Sequence, residues 1–194
     1  MLGAISLDLI VVFFGGVTAL LPVFARDILQ VGAEGLVALR AAPALGAGVV
    51  AYLLASKPLT RRVGTWLLGA IFIYGAAMLG FAFSNLFWLS MAALVVTGAA
   101  DMVSVFIRMS LVQLATPDNM RGRVSSVSFI FIGASNELGE FESGVAARFL
   151  GPVGAVLLGG FVAIGTALTW TRLFPTLAKA DKFEGAVIEE NGTQ

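Results

Sequence analysis

Along the chain, apolar residues gather into long blocks and polar residues into short breaks between them. Each block is close to the roughly 20 residues that a helix needs to cross the hydrocarbon core of a bilayer. The pattern predicts six such helices, at about 2–24, 36–56, 65–83, 86–115, 124–149 and 152–174. Pro22 with Arg26-Asp27 ends the first, and Lys57-Pro58 stops the second. Ser84-Asn85 turns the third into the fourth. Thr116-Pro117-Asp118-Asn119 precedes the fifth, and Gly151-Pro152 separates it from the sixth. Residues 175–194 read as a polar tail. Closed barrels also satisfy backbone groups in lipid, but the blocks lack the period-2 alternation of barrel strands. The predicted fold class is therefore all-α integral membrane, with six transmembrane helices in one bundle and the lipid bilayer as its partner.

Composition removes most chemistry. Hydrophobic residues make up 58% of the 194 and charged residues 12%, and the mean hydropathy is +0.94. Twelve basic residues balance twelve acidic ones, so no electrostatic footprint for nucleic acid exists. Histidine and cysteine are both absent. That excludes disulfides, thiol nucleophiles, Cys/His metal sites and Ser-His-Asp triads. An intramembrane serine protease of the rhomboid kind would need a histidine. An intramembrane aspartyl protease would need Gly-x-Gly-Asp, which Gly98-Ala-Ala-Asp101 does not match. No Gly-Lys-Ser/Thr is present to cradle a nucleotide phosphate, so the chain alone cannot drive transport with ATP. The expectation is a non-enzymatic protein with no cofactor and no metal.

Basic residues set the orientation. Lys57, Arg61 and Arg62 lie between spans two and three, and Arg121 and Arg123 between four and five. Arg172, Lys179 and Lys182 lie at and after the end of span six, whereas the opposite loops hold only Arg26 and Arg148. The positive-inside rule then places both termini in the cytoplasm. Asn191-Gly192-Thr193 matches a glycosylation sequon, but a cytoplasmic tail would not meet the modifying enzyme. Met1 opens almost directly on the first span. No basic residue precedes Arg26, which argues against a cleavable signal.

Ionisable residues within a span cost several kcal/mol and face a bundle interior or an aqueous cavity. Here they are unevenly spread. Span one carries Asp8, span two Arg40, span four Asp101 and Arg108, and span five Asn136, Glu137, Glu140 and Glu142; spans three and six carry none inside. That distribution suggests a three-plus-three inverted repeat of the kind found in secondary transporters. In span four, Thr97, Asp101, Ser104 and Arg108 share one helix face, as expected where a side meets water or substrate. Interhelical hydrogen bonding is the alternative reading of that stripe. Asn136, Glu137 and Glu140 share a face of span five, an arrangement that suits a proton carrier. Depth along the helices offers two candidate ion pairs, Arg40 with Glu142 and Asp8 with Arg108. Asp101 and Glu137, near the midplane, are the foremost candidates for substrate or ion contact. Glycines scattered through the spans read first as close-packing positions.

Five stretches carry a family resemblance: LDLIVVFFGGVTALLPVFARDIL, LRAAPALGAGVVAYLLA, PLTRRVG, LATPDNMRGRVSSV and GASNELGEFESG. Together they resemble the carboxy-terminal half of major facilitator superfamily exporters, in the branch of enterobactin exporters and macrolide-efflux permeases. PLTRRVG is similar to the basic loop between the second and third helices of each half, without its Gly-x-x-x-Asp opening. The resemblance implies one six-helix bundle of a bacterial inner-membrane transporter that rocks against a second six-helix half. That half would be covalent in a longer protein or a second copy; the abrupt start at Met1 favours a fragment or truncated frame. The implied cargo is a small organic molecule such as a siderophore or drug-like compound. Asp8, Asp101 and Arg108 would be cavity residues, with Arg40, Asn136, Glu137 and Glu140 at or near the interface between halves. Spans three and six would stand outside. The competing reading is a non-transporting structural or assembly protein whose charges form permanent pairs.

Overall fold

A computed structural model describes residues 2–57, 59 and 61–173, and their side chains except at residues 2–6, 8 and 115. The polar tail with Lys179 and Lys182, and the side chain of Asp8, therefore lie outside the described residues. Regular structure among the described residues is helical throughout: α1 (Leu2–Phe13), α2 (Val17–Val23), a π-helical turn (Phe24–Ile28), α3 (Ala33–Ser56), α4 (Val63–Ala82), α5 (Phe87–Ala115), a 3-10 turn (Asp118–Met120) and α6 (Arg121–Leu173). Five helical stretches among them are long and apolar enough to cross a membrane, namely Leu9–Ile28, Ala33–Ser56, Val63–Ala82, Phe87–Leu114 and Asp118–Leu173. The chain is an all-α membrane protein.

The described helices differ from the simple block pattern in two ways. The first span is not continuous over 2–24: it is interrupted at residues 14–16 and then runs on through the π-helical turn to Ile28. Adjacent glycines explain the break, because each costs a helix interior about 1 kcal/mol relative to alanine. Pro22 then denies α2 another backbone donor. The hydrogen bonding tightens accordingly, with Gly15 N–H donating to the Val12 carbonyl at 3.2 Å and Val17 N–H to the Gly15 carbonyl at 2.7 Å.

The second difference is that blocks five and six form the single element α6, which starts at Arg121 rather than near 124 and is broken only by Gly151. At φ 76° and ψ 165°, Gly151 occupies a region that is essentially restricted to glycine. The chain reverses there. In a straight helix, Gly139 and Gly159 would stand about 30 Å apart. Yet Gly139 is packed on the Val12 carbonyl and Gly159 on the Phe14 carbonyl, so the two limbs fold back on each other. Alanine at Gly151 meets no neighbour within 4 Å, but its backbone would be strained by about 1–3 kcal/mol. Thermal unfolding of Gly151→Ala in detergent should show that loss, while Gly144→Ala, also in open space, should show none.

α3 packs along α5, α4 lies between α5 and α6, and α1 and α2 pack on α6. The apolar interior divides into two clusters. One holds Leu20, Phe24, Leu39, Phe81, Leu94 and Val156, with the Phe24 and Phe81 rings 4.6 Å apart. The other holds Leu7, Val63, Leu67, Ile71, Ile107 and Leu111. Tyr74 packs against both.

Candidate functional site

The break in the first span opens a cavity of about 300 Å³. Its floor is the break itself, Gly15 and Gly16 with Val12 and Thr18 on either side; α3 adds Pro43 and α4 adds Tyr74. From α5 come Thr97, Gly98 and Asp101, and from α6 Asn136 and Glu140. Each group reaches the cavity for a local reason. Thr97 and Asp101 are one helical turn apart on α5, as are Asn136 and Glu140 on α6, so each pair points the same way.

Interrupting the helix frees backbone carbonyls that lipid cannot satisfy. The Gly15 carbonyl accepts from Val17 N–H within the break and takes a second hydrogen bond from the Tyr74 hydroxyl at 3.0 Å. Thr18, just past the break, donates its hydroxyl to Glu140 Oε1 at 2.9 Å and ties α2 to α6. Buried Thr97 turns its hydroxyl to the Leu94 carbonyl at 2.7 Å. Close packing fixes the rest. A Cβ on Gly16 would run into the Gly139 carbonyl, and one on Gly98 into the Pro43 carbonyl.

Three of the expected site residues, Asp101, Asn136 and Glu140, are brought together in this cavity. On the polar face of α5, Thr97, Ser104 and Arg108 are at most 8% exposed, whereas Asp101 is exposed. Arg108 lines a neighbouring, mostly apolar cavity of about 240 Å³ with Leu9, Val12, Met109, Val127 and Phe131. Glu137 is exposed on α6 and is not among the residues lining either cavity. Arg40 is exposed on α3 and Glu142 half-buried on α6, and no ion pair joins the two among the described residues. Asp8 lies on α1 with its side chain outside the described residues.

Two lining residues with polar side chains escaped the sequence reading. Thr18 is a lone hydroxyl in an apolar block, and only the neighbouring Gly15-Gly16 marks it. Tyr74 is one of two tyrosines in the chain and sits mid-block in span three, a place where a hydroxyl needs a partner. Its position brings the third span to the cavity wall, where the resemblance had placed it outside.

No metal-binding group of three or more acidic, His or Cys side chains occurs among the described residues. The cavity gathers carboxylate, amide and hydroxyl groups, with Asp101, Asn136 and Glu140 all exposed at it. No curated protein and no solved structure matches the chain. Residues 8–190 match the family described as transmembrane secretion effector, of the major facilitator superfamily, and the chain belongs to that family.

Proposed function

We propose that the chain is one six-helix half of a secondary exporter that moves small organic molecules, siderophores or drug-like compounds, out of a bacterial cell by alternating access. The observation that carries this reading is the polar cavity at the interrupted first span, framed by α1–α2, α3, α4, α5 and α6. Interrupted helices beside a substrate or ion site are a recurring device of secondary transporters. In lipid, such a break persists only where protein or water satisfies its backbone, as Val17 N–H and the Tyr74 hydroxyl do for the Gly15 carbonyl. The reversal at Gly151 supports counting 121–150 and 152–173 as two crossings, which makes six spans and two triplets of opposite direction. Charge in the loops supports both termini being cytoplasmic in the inner membrane. A second six-helix half, covalent or a second copy, would close the open side of the cavity.

Cells expressing the chain and preloaded with the fluorescent amine monodansylcadaverine provide the test. On energising with glucose they should lose dye faster than cells without it, and collapsing the proton gradient should stop that loss. Equal dye loss in both strains would remove the transport reading in favour of a structural or assembly role.

A further inference from the structure

The lining of the cavity also restricts the charge of its cargo, an inference that rests on the transport reading above. Two carboxylates, Asp101 and Glu140, line it, and no basic side chain does. Arg108 stands two turns along α5 from Asp101, about 10 Å along the axis, and lines the neighbouring cavity. The hydroxyls add acceptors rather than donors. The Tyr74 proton is committed to the Gly15 carbonyl, the Thr97 proton to the Leu94 carbonyl and the Thr18 proton to Glu140. What these three oxygens still offer is lone pairs. Asn136 alone among the lining side chains keeps free N–H donors. A site so rich in acceptors recognises a solute that donates hydrogen bonds and carries positive charge.

The second cavity completes the picture. Val12 lines both, so one apolar side chain divides the acceptor-rich pocket from the apolar pocket formed by Leu9, Met109, Val112, Val127 and Phe131. We propose that the cargo is an amphipathic organic amine: its protonated nitrogen sits between Asp101 and Glu140, and its apolar body passes Val12 into the second pocket.

A matched set of fluorescent probes tests this on the purified chain in phosphatidylcholine nanodiscs, with empty discs subtracted. Monodansylcadaverine carries the amine, its N-acetyl derivative is neutral, and dansyl-aminohexanoate carries a carboxylate on a similar body. The amine should bind at least tenfold more tightly than either of the others. Asp101→Asn and Glu140→Gln, both isosteric, should each weaken amine binding at least tenfold and leave the acetyl probe unchanged; Glu34→Gln, exposed at the start of α3, should change nothing. If either variant fails to elute as a single species, the comparison of probes on the unaltered chain decides. Equal binding of the three probes, tighter binding of the carboxylate, no binding of the amine, or indifference to both substitutions overturns the proposal. Neutral-probe binding that is lost in Asn136→Leu overturns only the charge assignment and keeps the cavity as a cargo site. A chain that binds the amine with the expected charge dependence, yet drives no dye loss from cells, keeps this proposal and overturns the exporter.

Discussion

Leucine in place of Gly46 should destabilise the bundle by about 3 kcal/mol or more, at the upper end of what overpacking costs, and should remove most folded protein from detergent extracts. A Cβ at this position would run into the Val95 carbonyl, with the Ala99 nitrogen 2.9 Å away. All of these neighbours are backbone atoms of α5, so no rotamer change relieves the clash and the helices themselves must separate. Gly98 makes the reciprocal approach one turn further on, against the Pro43 carbonyl. Helix association in lipid lacks the hydrophobic drive available in water and depends on such close contact. Gly48 supplies the control: it lies two residues from Gly46 on the same helix and faces open space. Gly48→Leu should therefore stay within about 0.5 kcal/mol of the parent. Fluorescence-detected gel filtration after a heating series separates these outcomes. Equal stability of the two variants would contradict the α3–α5 crossing described here.

Asp101→Asn and Glu140→Gln should each reduce energised dye efflux at least tenfold, without loss of folded protein. Both substitutions preserve side-chain volume, and glutamine at 140 still offers Thr18 an acceptor oxygen, so the effect isolates charge. Each tenfold loss corresponds to about 1.4 kcal/mol of differential interaction, modest for a carboxylate inside a membrane bundle. Glu137→Gln is the informative comparison. It removes a carboxylate one turn from Glu140 but outside both cavities, so efflux should stay within about twofold of the parent, a change of less than 1 kcal/mol. Loss of efflux in Glu137→Gln alone would move the functional face of α6 away from this cavity.

That contrast shows how far the sequence could be read. Helical periodicity is local, so spacing alone puts Thr97, Asp101, Ser104 and Arg108 on one face but does not say what surrounds it: three of the four side chains are almost wholly buried and Asp101 is exposed. On α6 the same argument grouped Asn136, Glu137 and Glu140. Only the first and last reach the cavity, because which side of a helix meets its neighbours is decided by packing, here by Gly139 against Val12. The break at residues 14–16 was masked for another reason. Hydropathy averaged across a span is blind to backbone direction, and two glycines read equally well as a packing site. Gly151-Pro152 was legible as a separator, since proline resists helix continuation on its N-terminal side and glycine admits positive φ. The folding back of its two limbs became visible only through their shared contact with residues 12–14. The contributions of Thr18 and Tyr74 are tertiary in the same sense: each hydroxyl gains its role from a partner distant in sequence.

The central claim is that the interrupted first span encloses a water-accessible transport cavity. The chain contains no cysteine, so single cysteines can be introduced without further changes. Asn136→Cys places a thiol in the cavity wall, and Phe161→Cys places one on an exposed apolar face of α6. Each variant, in native membranes, is treated with a membrane-impermeant methanethiosulfonate reagent and then assayed for efflux. The account predicts rapid labelling of Asn136→Cys with loss of efflux, and little labelling of Phe161→Cys. If Asn136→Cys reacts no faster than Phe161→Cys, or if its complete modification leaves efflux intact, the cavity is not the route.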